Sequence, residues 1–324
     1  MLLGVVSLYV DDLIYTGNST VMLEEFKVSM MSEFSMTDLG KMKYFLGVEV
    51  VQDEKGIFIS QKKYAEETLR KYGMEECNAV KNPMVPGNKL SREGAGEEVN
   101  PTTFKQLVRS LRYLTATRPD LIYSVNLVSR YMERPNEQHM ATAKRILRYV
   151  QGTRDFGIQY KYGGEQKLVG YVDSDYAGDV DDFKSTFEYV FMLGGGAVSW
   201  VSKKQPIVTL STTEAEFVSV AYGACHAVWL RNIMAEIGSE QKEGTTMFCD
   251  NSSAIKLSKN PVLHGRSKHI HVRFHYLREL VNDGVIQLDY CSTHDQISDI
   301  MTKAVKLEAF EKLKNRMGVG AKEV

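Results

Sequence analysis

Four acidic residues in the second half of the chain stand where a strand pattern ends or a helix pattern begins. They are Asp173, Glu216, Asp250 and Asp299. Hydrolysis of a phosphodiester needs an activated water and a stabilised leaving oxygen, and two metal ions about 3.5–4 Å apart can supply both. Mg²⁺ prefers hard oxygen ligands, which carboxylates provide. If the fold brings the four acids to one edge, we expect a metal centre there, holding Mg²⁺ or, as the alternative, Mn²⁺.

Each acid also has a purely structural interpretation, and Glu216 has the most specific one. It follows Thr213 by three residues, which is the spacing of a capping box at a helix start. Ser211 with Glu214 offers a second box, so Glu214 could take the place of Glu216 in the cluster. The other three acids could be a helix cap, a turn residue and a solvated helix position.

A second pair of adjacent carboxylates lies near the start of the chain. Asp11 and Asp12 separate two short apolar runs, at residues 5–10 and 13–15, and this pattern predicts a β-hairpin with the acids at its turn. Two carboxylates at such a turn can also bind a metal ion. A tetrapeptide of this kind is weak evidence by itself.

The elements that must position these acids change type along the chain. The first half predicts a helix at residues 21–34, strands at 44–51 and 56–60, an exposed linker at 82–100 and two amphipathic helices broken near Pro135. The second half predicts the order βββαβααβα, with strands at 168–172, 189–193, 197–201, 245–249 and 285–290 and helices at 214–237, 252–257, 269–281 and from 294. This order is typical of a mixed α/β fold.

Composition predicts a folded protein of two domains. The 324 residues are 43% hydrophobic and 25% charged, as in ordinary globular chains. The apolar run at residues 1–10 is too short to span a membrane. Four scattered cysteines form no CxxC pair, which predicts neither a zinc site nor disulfides and favours an intracellular place, cytoplasmic or nuclear.

The net charge of −1 gives no overall field that would attract nucleic acid, so a surface for it must be local. Residues 251–280 are one candidate, because they hold six basic residues and four histidines against one acid, Glu279. A solvated helix face is the alternative.

Long motifs of the second half resemble the ribonuclease H domain of copia-type retrotransposon polyproteins. They lie at residues 170–179, 184–186, 199–206, 210–216, 249–252, 266–270 and 299–303. The resemblance implies that Asp173, Glu216, Asp250 and Asp299 are the metal-binding catalytic carboxylates. It further implies phosphate contacts with an RNA:DNA hybrid, read through its backbone and 2′-hydroxyls, for five basic residues: Lys203, Lys204, Arg266, Lys268 and Arg273.

Two histidine roles stay open beside this resemblance. His294 lies near Asp299, where related enzymes often have a mobile histidine that assists product release, although the spacing here is short. His271 and His275 are four residues apart on one predicted helix and could bind zinc, but no third ligand is evident.

The first half resembles the end of a copia-type reverse transcriptase, from the hairpin at residues 8–17 through motifs at 36–40, 44–49, 59–61, 71–74, 110–120 and 143–149. In that family Asp11 and Asp12 would be metal-binding. The implied domains are a partial, truncated palm (1–83), helical thumb and connection (84–160), a ribonuclease H-like mixed-sheet domain (165–305) and a C-terminal helix or tail (306–324). Polymerisation needs a further palm carboxylate and the fingers, which precede the hairpin in this family. We therefore expect no polymerase activity.

Five positions depart from the family pattern. Phe183, Phe187 and Glu188 replace an expected Arg, a small polar residue and Gly; Arg109 replaces Gly, and His271 replaces an acid. Because glycine sites often need positive φ or close packing, we expect Glu188 to strain its strand.

Three functions follow as hypotheses. The first is a Mg²⁺-dependent endonuclease for the RNA strand of RNA:DNA hybrids, with other element-encoded Pol or Gag chains as further partners. The second is an inactive remnant that at most binds nucleic acid. The third, a transposase or integrase core, would end its site with Glu, and Asp299 argues against it.

Overall fold

The computed structural model describes residues 3–164, 166–259 and 271–322. Its first elements are β1 (Gly4–Tyr9), β2 (Asp12–Gly17), α1 (Thr20–Glu33), β3 (Tyr44–Phe45), β4 (Val48–Asp53), β5 (Gly56–Ser60) and α2 (Lys62–Lys71). β1 and β2 pair antiparallel as a separate two-stranded sheet, with Tyr9 opposite Asp12. The predicted hairpin and the helix after it are confirmed.

The middle of the chain is helical. It contains α3 (Pro101–Leu114), α4 (Ile122–Ser129), α5 (Glu137–Gln151) and then β6 (Phe156–Lys161). The predicted break near Pro135 is confirmed, since Asn136 caps α5. A second break was not predicted: residues 115–121 separate α3 from α4, because Pro119 disfavours helical backbone at the preceding residue.

The second half follows the predicted order. Its elements are β7 (Val169–Ser174), β8 (Thr186–Leu193), β9 (Gly196–Lys204), α6 (Thr212–Glu236), β10 (Thr245–Cys249), α7 (Ser252–Lys259), α8 (His271–Asn282), β11 (Ile286–Tyr290), α9 (Asp299–Thr302), α10 (Leu307–Arg316) and β12 (Val319–Ala321). The mixed α/β prediction is confirmed. The helix expected from residue 294 onward is instead a single 3₁₀ turn at Thr293–Asp295, then α9 and α10.

Two five-stranded sheets organise these elements. The first has the order β11-β10-β7-β8-β9, in which β10 runs parallel to both β7 and β11 while β8 and β9 are antiparallel. The second has the order β12-β6-β5-β4-β3, so the last strand of the described chain joins a sheet built mostly from the first half. The carboxyl ends of β7 and β10 therefore lie at the same edge of the first sheet.

The buried apolar side chains of the described residues form two hydrophobic cores. The first joins α2 to α5 with β6, α9, α10 and β12, and it includes the fully buried Leu111, Leu147 and Met301. The second lies between α6, α7 and α8 and the other face of the β7–β11 sheet, around Phe217 and Met247. Among the described residues, no helix is long and apolar enough to cross a membrane.

Residues 82–100 contain no helix or strand, as expected, but the prediction of an exposed linker is wrong for part of them. Met84 and Leu90 are each 3% exposed and pack in the first core. The Tyr131 hydroxyl donates to the carbonyl of Leu90 at 2.7 Å. This segment is thus an irregular part of the core wall, anchored by two apolar side chains.

Candidate metal centre

Three of the four predicted carboxylates meet at one point. Asp173, Glu216 and Asp250 each offer an oxygen, and these oxygens lie within 4.8 Å of one another. Asp173 is 2% exposed and Glu216 7%, so the alternative of a surface turn for Asp173 is wrong. The three acids come from β7, α6 and the residue directly after β10.

Sheet topology explains the meeting of Asp173 and Asp250. Because β7 and β10 are adjacent and parallel, the residues at their carboxyl ends reach the same edge. Asn251, rather than Asp250, caps the next helix, since its Oδ1 accepts from the backbone N–H groups of Ser253 and Ala254. Asp250 instead accepts a hydrogen bond from the Thr293 hydroxyl at 2.8 Å.

The choice between Glu214 and Glu216 follows from the start of α6. Ser211 is the N-cap and accepts from the N–H of Glu214, while the Glu214 carboxylate accepts from the N–H of Leu210 at 2.9 Å. Glu214 therefore serves the helix start, and Glu216, about half a turn further, faces Asp173 and Asp250.

Asp299 lies next to this group at the first position of α9 and is 5% exposed. The alternative of a solvated helix position is therefore wrong. Burial, and then the neighbouring Asp173 carboxylate, raise the pKa of Asp299 to about 7. Lys303 reaches both acids, with Nζ 2.9 Å from Asp299 Oδ1 and 3.9 Å from Asp173 Oδ2.

The carboxyl groups of the centre lie close together in a buried place, and their negative charges raise one another's pKa. Burial, and then the charges of Asp173 and Asp250, raise the pKa of Glu216 well above its ordinary value. Burial and Asp173 also raise the pKa of Asp250, although Thr293 and Lys303 oppose this. Burial works against the charge of Lys303, but the surrounding carboxylates raise its pKa. The centre is thus short of positive charge, and a cation would relieve the crowding.

Hydroxyl groups that the sequence interpretation did not single out hold the acids in place. Thr302 donates to Asp173 Oδ2 at 2.6 Å, from the same short helix as Asp299. Ser219 donates to the backbone carbonyl of Asp173 at 2.6 Å.

The sequence could have indicated Lys303 as a partner of Asp299, because it stands four residues later, the spacing of an ion pair on one helix turn. A lone Thr or Ser carries no comparable signal.

Glu188 lies directly opposite Asp173 on the neighbouring strand. It is fully buried, its Oε1 is 3.4 Å from the Ser202 hydroxyl, and its Oε2 has no hydrogen-bond partner. Burial, then Asp175 and Asp173, raise its pKa well above the ordinary value. The expected backbone strain is wrong, since Glu188 keeps regular strand register and is not among the positive-φ residues. The unfavourable feature is a buried carboxyl with one oxygen left without a partner, whose burial the charge of Arg130 only partly opposes.

Asp11 and Asp12 lie at the tip of the first hairpin, and both side chains are exposed. Within the described ranges, no third carboxylate, histidine or cysteine forms a metal-binding group with them. The hairpin matches its prediction in shape, and its role in metal binding stays a prediction.

The candidate phosphate contacts differ in their surroundings. Lys203 is exposed on β9, whereas Lys204 forms ion pairs with Asp179 and Asp182, the latter at 3.1 Å. Arg266 and Lys268 lie outside the described residues, as does the side chain of Arg273. Lys203 is therefore the candidate whose setting fits a phosphate contact.

The histidine hypotheses stay predictions. His294 is exposed in the turn whose Thr293 contacts Asp250, so it lies beside the centre. His275 is exposed on α8, and the side chain of His271 lies outside the described part of the chain. No metal-binding group around His275 is found among the described residues.

Comparisons with known proteins match the start of the chain to a family model and nearly the whole chain to a relative. The family model "Reverse transcriptase (RNA-dependent DNA polymerase)" matches residues 3–86. A retrovirus-related Pol polyprotein from transposon RE2 of Arabidopsis thaliana is 39% identical over 311 residues, which is 96% of this chain and 21% of that polyprotein. An uncharacterised mitochondrial protein of the same plant is 37% identical over 222 residues, 68% of this chain and 92% of that protein. The chain thus spans about a fifth of the length of the Pol polyprotein it matches.

Among solved structures, a foamy viral protease-reverse transcriptase in complex with dsDNA is similar in fold. The likeness covers 89% of this chain and 55% of that one, with a TM-score of 0.51 and 13% sequence identity. At this identity the likeness concerns the fold alone. It extends across both halves of the chain, which agrees with the two-part architecture described above.

Proposed function

We propose that this chain, which belongs to the Pol polyprotein family of copia-type retrotransposons, is a metal-dependent ribonuclease H that hydrolyses the RNA strand of RNA:DNA hybrids. The observation that carries the proposal is the convergence of Asp173, Glu216 and Asp250 from three separate elements onto one buried edge of a mixed sheet. Asp299, at the start of α9, and Lys303, directly after it, would complete the centre. Four carboxylates gathered around Lys303, the single cation of the centre among the described residues, are more typical of a functional site than of a stabilising network.

The donor set fits a hard divalent cation. Carboxylate oxygens are the ligands that Mg²⁺ prefers, and three of them already lie within 4.8 Å of one another. Asp173, Glu216, Asp250 and Asp299 would hold the ions, Mg²⁺ first and Mn²⁺ as the alternative. Bound ions would supply an activated water and a stabilised leaving oxygen.

The surrounding side chains keep the ligands oriented. Thr302 holds Oδ2 of Asp173, and Thr293 holds Oδ2 of Asp250. Such partners of metal ligands typically contribute about 10- to 100-fold to metal affinity or activity. Lys303, half exposed beside Asp299, adds a positive charge at the mouth of the centre, where a phosphate would arrive.

The proposed substrate is an RNA:DNA hybrid. Proteins recognise such helices mainly through the backbone and the 2′-hydroxyl, which requires exposed cations rather than base-specific side chains. Lys203 provides one near the sheet edge. Arg266, Lys268 and Arg273 remain proposed contacts by family resemblance, and other Pol or Gag chains remain proposed partners.

The test is cleavage of a labelled RNA:DNA hybrid by the purified 324-residue chain with Mg²⁺. We expect cuts in the RNA strand only, and a loss of at least about 100-fold in Asp250→Asn, because removal of one ligand charge disables metal binding. Glu216→Gln should lose activity similarly. Glu214→Gln is the matched control, since this acid serves the helix cap. Equal cleavage by wild type and Asp250→Asn, or none by either, would contradict the proposal.

We expect no templated DNA synthesis from the same chain. Polymerisation by two metals needs a further carboxylate beside Asp11 and Asp12, and within the described residues no metal-binding group of three includes them. A primer-extension assay with Mg²⁺ and nucleoside triphosphates measures this directly. Templated incorporation would contradict the expectation.

The inactive remnant is the second candidate, and Glu188 is the observation that favours it. A buried carboxyl with one unpartnered oxygen, directly opposite Asp173, works against a stable centre. The hybrid-cleavage assay decides between the two candidates.

A further inference from the structure

The side chain of Gln205, directly after β9, connects two elements of the metal centre. Its Nε2 group donates to the Ser174 hydroxyl and to the backbone carbonyl of Ala215, each at 3.0 Å. Ser174 follows Asp173 on β7, and Ala215 precedes Glu216 on α6. One amide group thus bridges the chain neighbours of two proposed metal ligands.

The orientation of this amide follows from its partners. A backbone carbonyl can only accept, so the NH₂ side of Gln205 must face Ala215. The Oε1 atom is then buried without a hydrogen-bond partner, and the whole residue is 1% exposed. Buried polar atoms normally have a partner, and an apolar side chain of similar shape would leave none unsatisfied. The presence of glutamine in this place therefore indicates that its two donated hydrogen bonds matter.

Sheet topology brings Gln205 to the edge that carries the acids. Because β8 runs antiparallel to β7 and β9 antiparallel to β8, the ends of β7 and β9 lie at the same edge. The backbone N–H of Gln205 donates to the carbonyl of Ser185, just before β8, at 2.7 Å. The sheet thus fixes the position of the amide beside the start of α6.

Another buried glutamine holds the other side of Asp173. The Nε2 group of Gln296 donates to the backbone carbonyl of Val172 at 2.8 Å, and its Oε1 accepts from the Ser298 hydroxyl at 2.9 Å. Gln296 lies three residues before Asp299, in the segment that leads into α9. β7 is therefore tied on one side of Asp173 to α6 and on the other to the start of α9, in each case by a neutral amide.

Neutral hydrogen bonds are useful here because the acids themselves repel one another. Without a cation between them, the charges of Asp173 and Glu216 favour a wider separation. A hydrogen bond from an amide to a hydroxyl or a carbonyl does not depend on the charge of the acids, so it can keep their spacing before a cation binds. Ligands that are already in place lose less conformational freedom on binding, which strengthens the binding.

We propose that Gln205 is a positioning residue of the metal centre, which holds Asp173 and Glu216 at the spacing that a divalent cation requires. This role rests on the proposed function. Gln205 acts through the Ser174 hydroxyl and the backbone of Ala215 rather than by binding the cation itself.

The variant Gln205→Met removes the amide and keeps a side chain of similar length. It should fold, because both former acceptors keep another hydrogen bond. Ser174 still donates to the carbonyl of Thr186 at 2.8 Å, and the Ala215 carbonyl lies inside α6, where it accepts the helical hydrogen bond. The urea unfolding midpoint in EDTA should therefore stay close to that of wild type.

Gln61→Met is the matched control. Gln61 is also a buried glutamine with one unpartnered atom, and its Oε1 accepts from the Thr117 hydroxyl at 3.0 Å. It precedes α2 and lies outside the sheet that carries the centre. This variant therefore reports what the loss of a buried amide does to the protein in general.

The measurement is Mn²⁺ binding, followed by the electron paramagnetic resonance of the free ion, in wild type, both glutamine variants and Asp250→Asn. The binding that Asp250→Asn removes is that of the centre. We expect Gln205→Met to weaken it by at least about tenfold, the lower end for residues that orient metal ligands, and Gln61→Met to leave it unchanged. The Mg²⁺ concentration for half-maximal hybrid cleavage should rise similarly in Gln205→Met, while cleavage at saturating Mg²⁺ recovers.

Equal Mn²⁺ affinity of Gln205→Met and wild type, or equal weakening in both glutamine variants, would overturn the positioning role alone. If Gln205→Met loses Mn²⁺ affinity as expected but wild type cleaves no hybrid, the positioning role stands and the proposed function fails. Wild-type protein that shows no Mn²⁺ binding dependent on Asp250 would contradict both.

Discussion

Glu188 is the residue whose position is hardest to reconcile with stability. Its side chain is fully buried opposite Asp173, one carboxyl oxygen has no partner, and its pKa is raised well above the ordinary value of 4.5 by burial and by two neighbouring carboxylates. A raised pKa means that the folded state holds a proton which the unfolded chain releases more readily. The stabilising effect of that proton is complete below the unfolded pKa and is lost as the pH rises toward the folded value.

We therefore expect Glu188→Gln to raise the free energy of unfolding at pH 8 by about 1–3 kcal/mol, because the amide has no charge to bury and each unit by which burial raises a pKa costs about 1.4 kcal/mol above the unfolded value. The advantage should shrink as the pH falls toward the pKa of the unfolded chain. Urea unfolding at pH 8 and at pH 5 measures this. The acids that remain titrate in both proteins, so the difference between variants isolates Glu188. Equal stability of the two proteins at both pH values would show that Glu188 has found a partner.

At this scale the sequence was most informative where side chains carry distinctive chemistry. Asp173, Asp250 and Asp299 stand in motifs and were found, and the choice between Glu214 and Glu216 depended on which acid the helix start uses. The hydrogen bond from Thr302 to Asp173 could not be predicted, because the role of a threonine hydroxyl depends on which residue lies next to it in space.

Among the elements, α9 is short but joins two parts of the molecule. Its polar residues Asp299 and Thr302 face the metal centre, while Ile300 and Met301 are buried in the first core with the middle helices. Periodicity could not predict α9, since four residues make barely one turn. The pattern did predict longer elements such as α6. It did not predict the break at residues 115–121, which separates α3 from α4.

This arrangement predicts that the middle helices position Asp299. Met301→Ala should lower the free energy of unfolding by about 2–5 kcal/mol, as large-to-small core changes do, and should also reduce hybrid cleavage under conditions where the protein is folded. Leu147→Ala is the control, because this fully buried residue lies in the same core but on α5. Cleavage is measured at a temperature well below both unfolding midpoints. The same loss of cleavage in both variants would mean that α9 has no special role.

In the whole molecule, the last described strand returns to a sheet built mostly from the first half of the chain. β12 pairs with β6 across the register Val319 to Ile158, and Val319 is 1% exposed in the first core. The sequence resemblance separated residues 306–324 as a helix or tail, and no periodicity in three residues could predict this pairing. The two halves thus share a core, and we expect them to unfold together.

Truncation after Gly318 removes β12 and tests this expectation. Loss of the buried Val319 side chain should alone cost about 1.5–3 kcal/mol, and loss of the strand pairing adds to it, so the urea midpoint should fall. Because the first core also holds α9, hybrid cleavage should fall with stability. Trp229 and Trp200, the latter packed against the first core, report by fluorescence on strands and helices of the second half, while circular dichroism follows all helices.

Truncation after Ala321 is the matched control for β12. It keeps the strand and removes Lys322, whose Nζ is 2.8 Å from Asp53 in a partly exposed ion pair. Such pairs contribute about 0–1 kcal/mol, so this variant should unfold almost as the full chain does. Two separate transitions in the full chain, with the fluorescence midpoint unaffected by either truncation, would contradict the shared core. A single transition that moves only when β12 is removed would mean that the strand pairing at the end of the chain stabilises the whole first core, which includes α9 beside the metal centre.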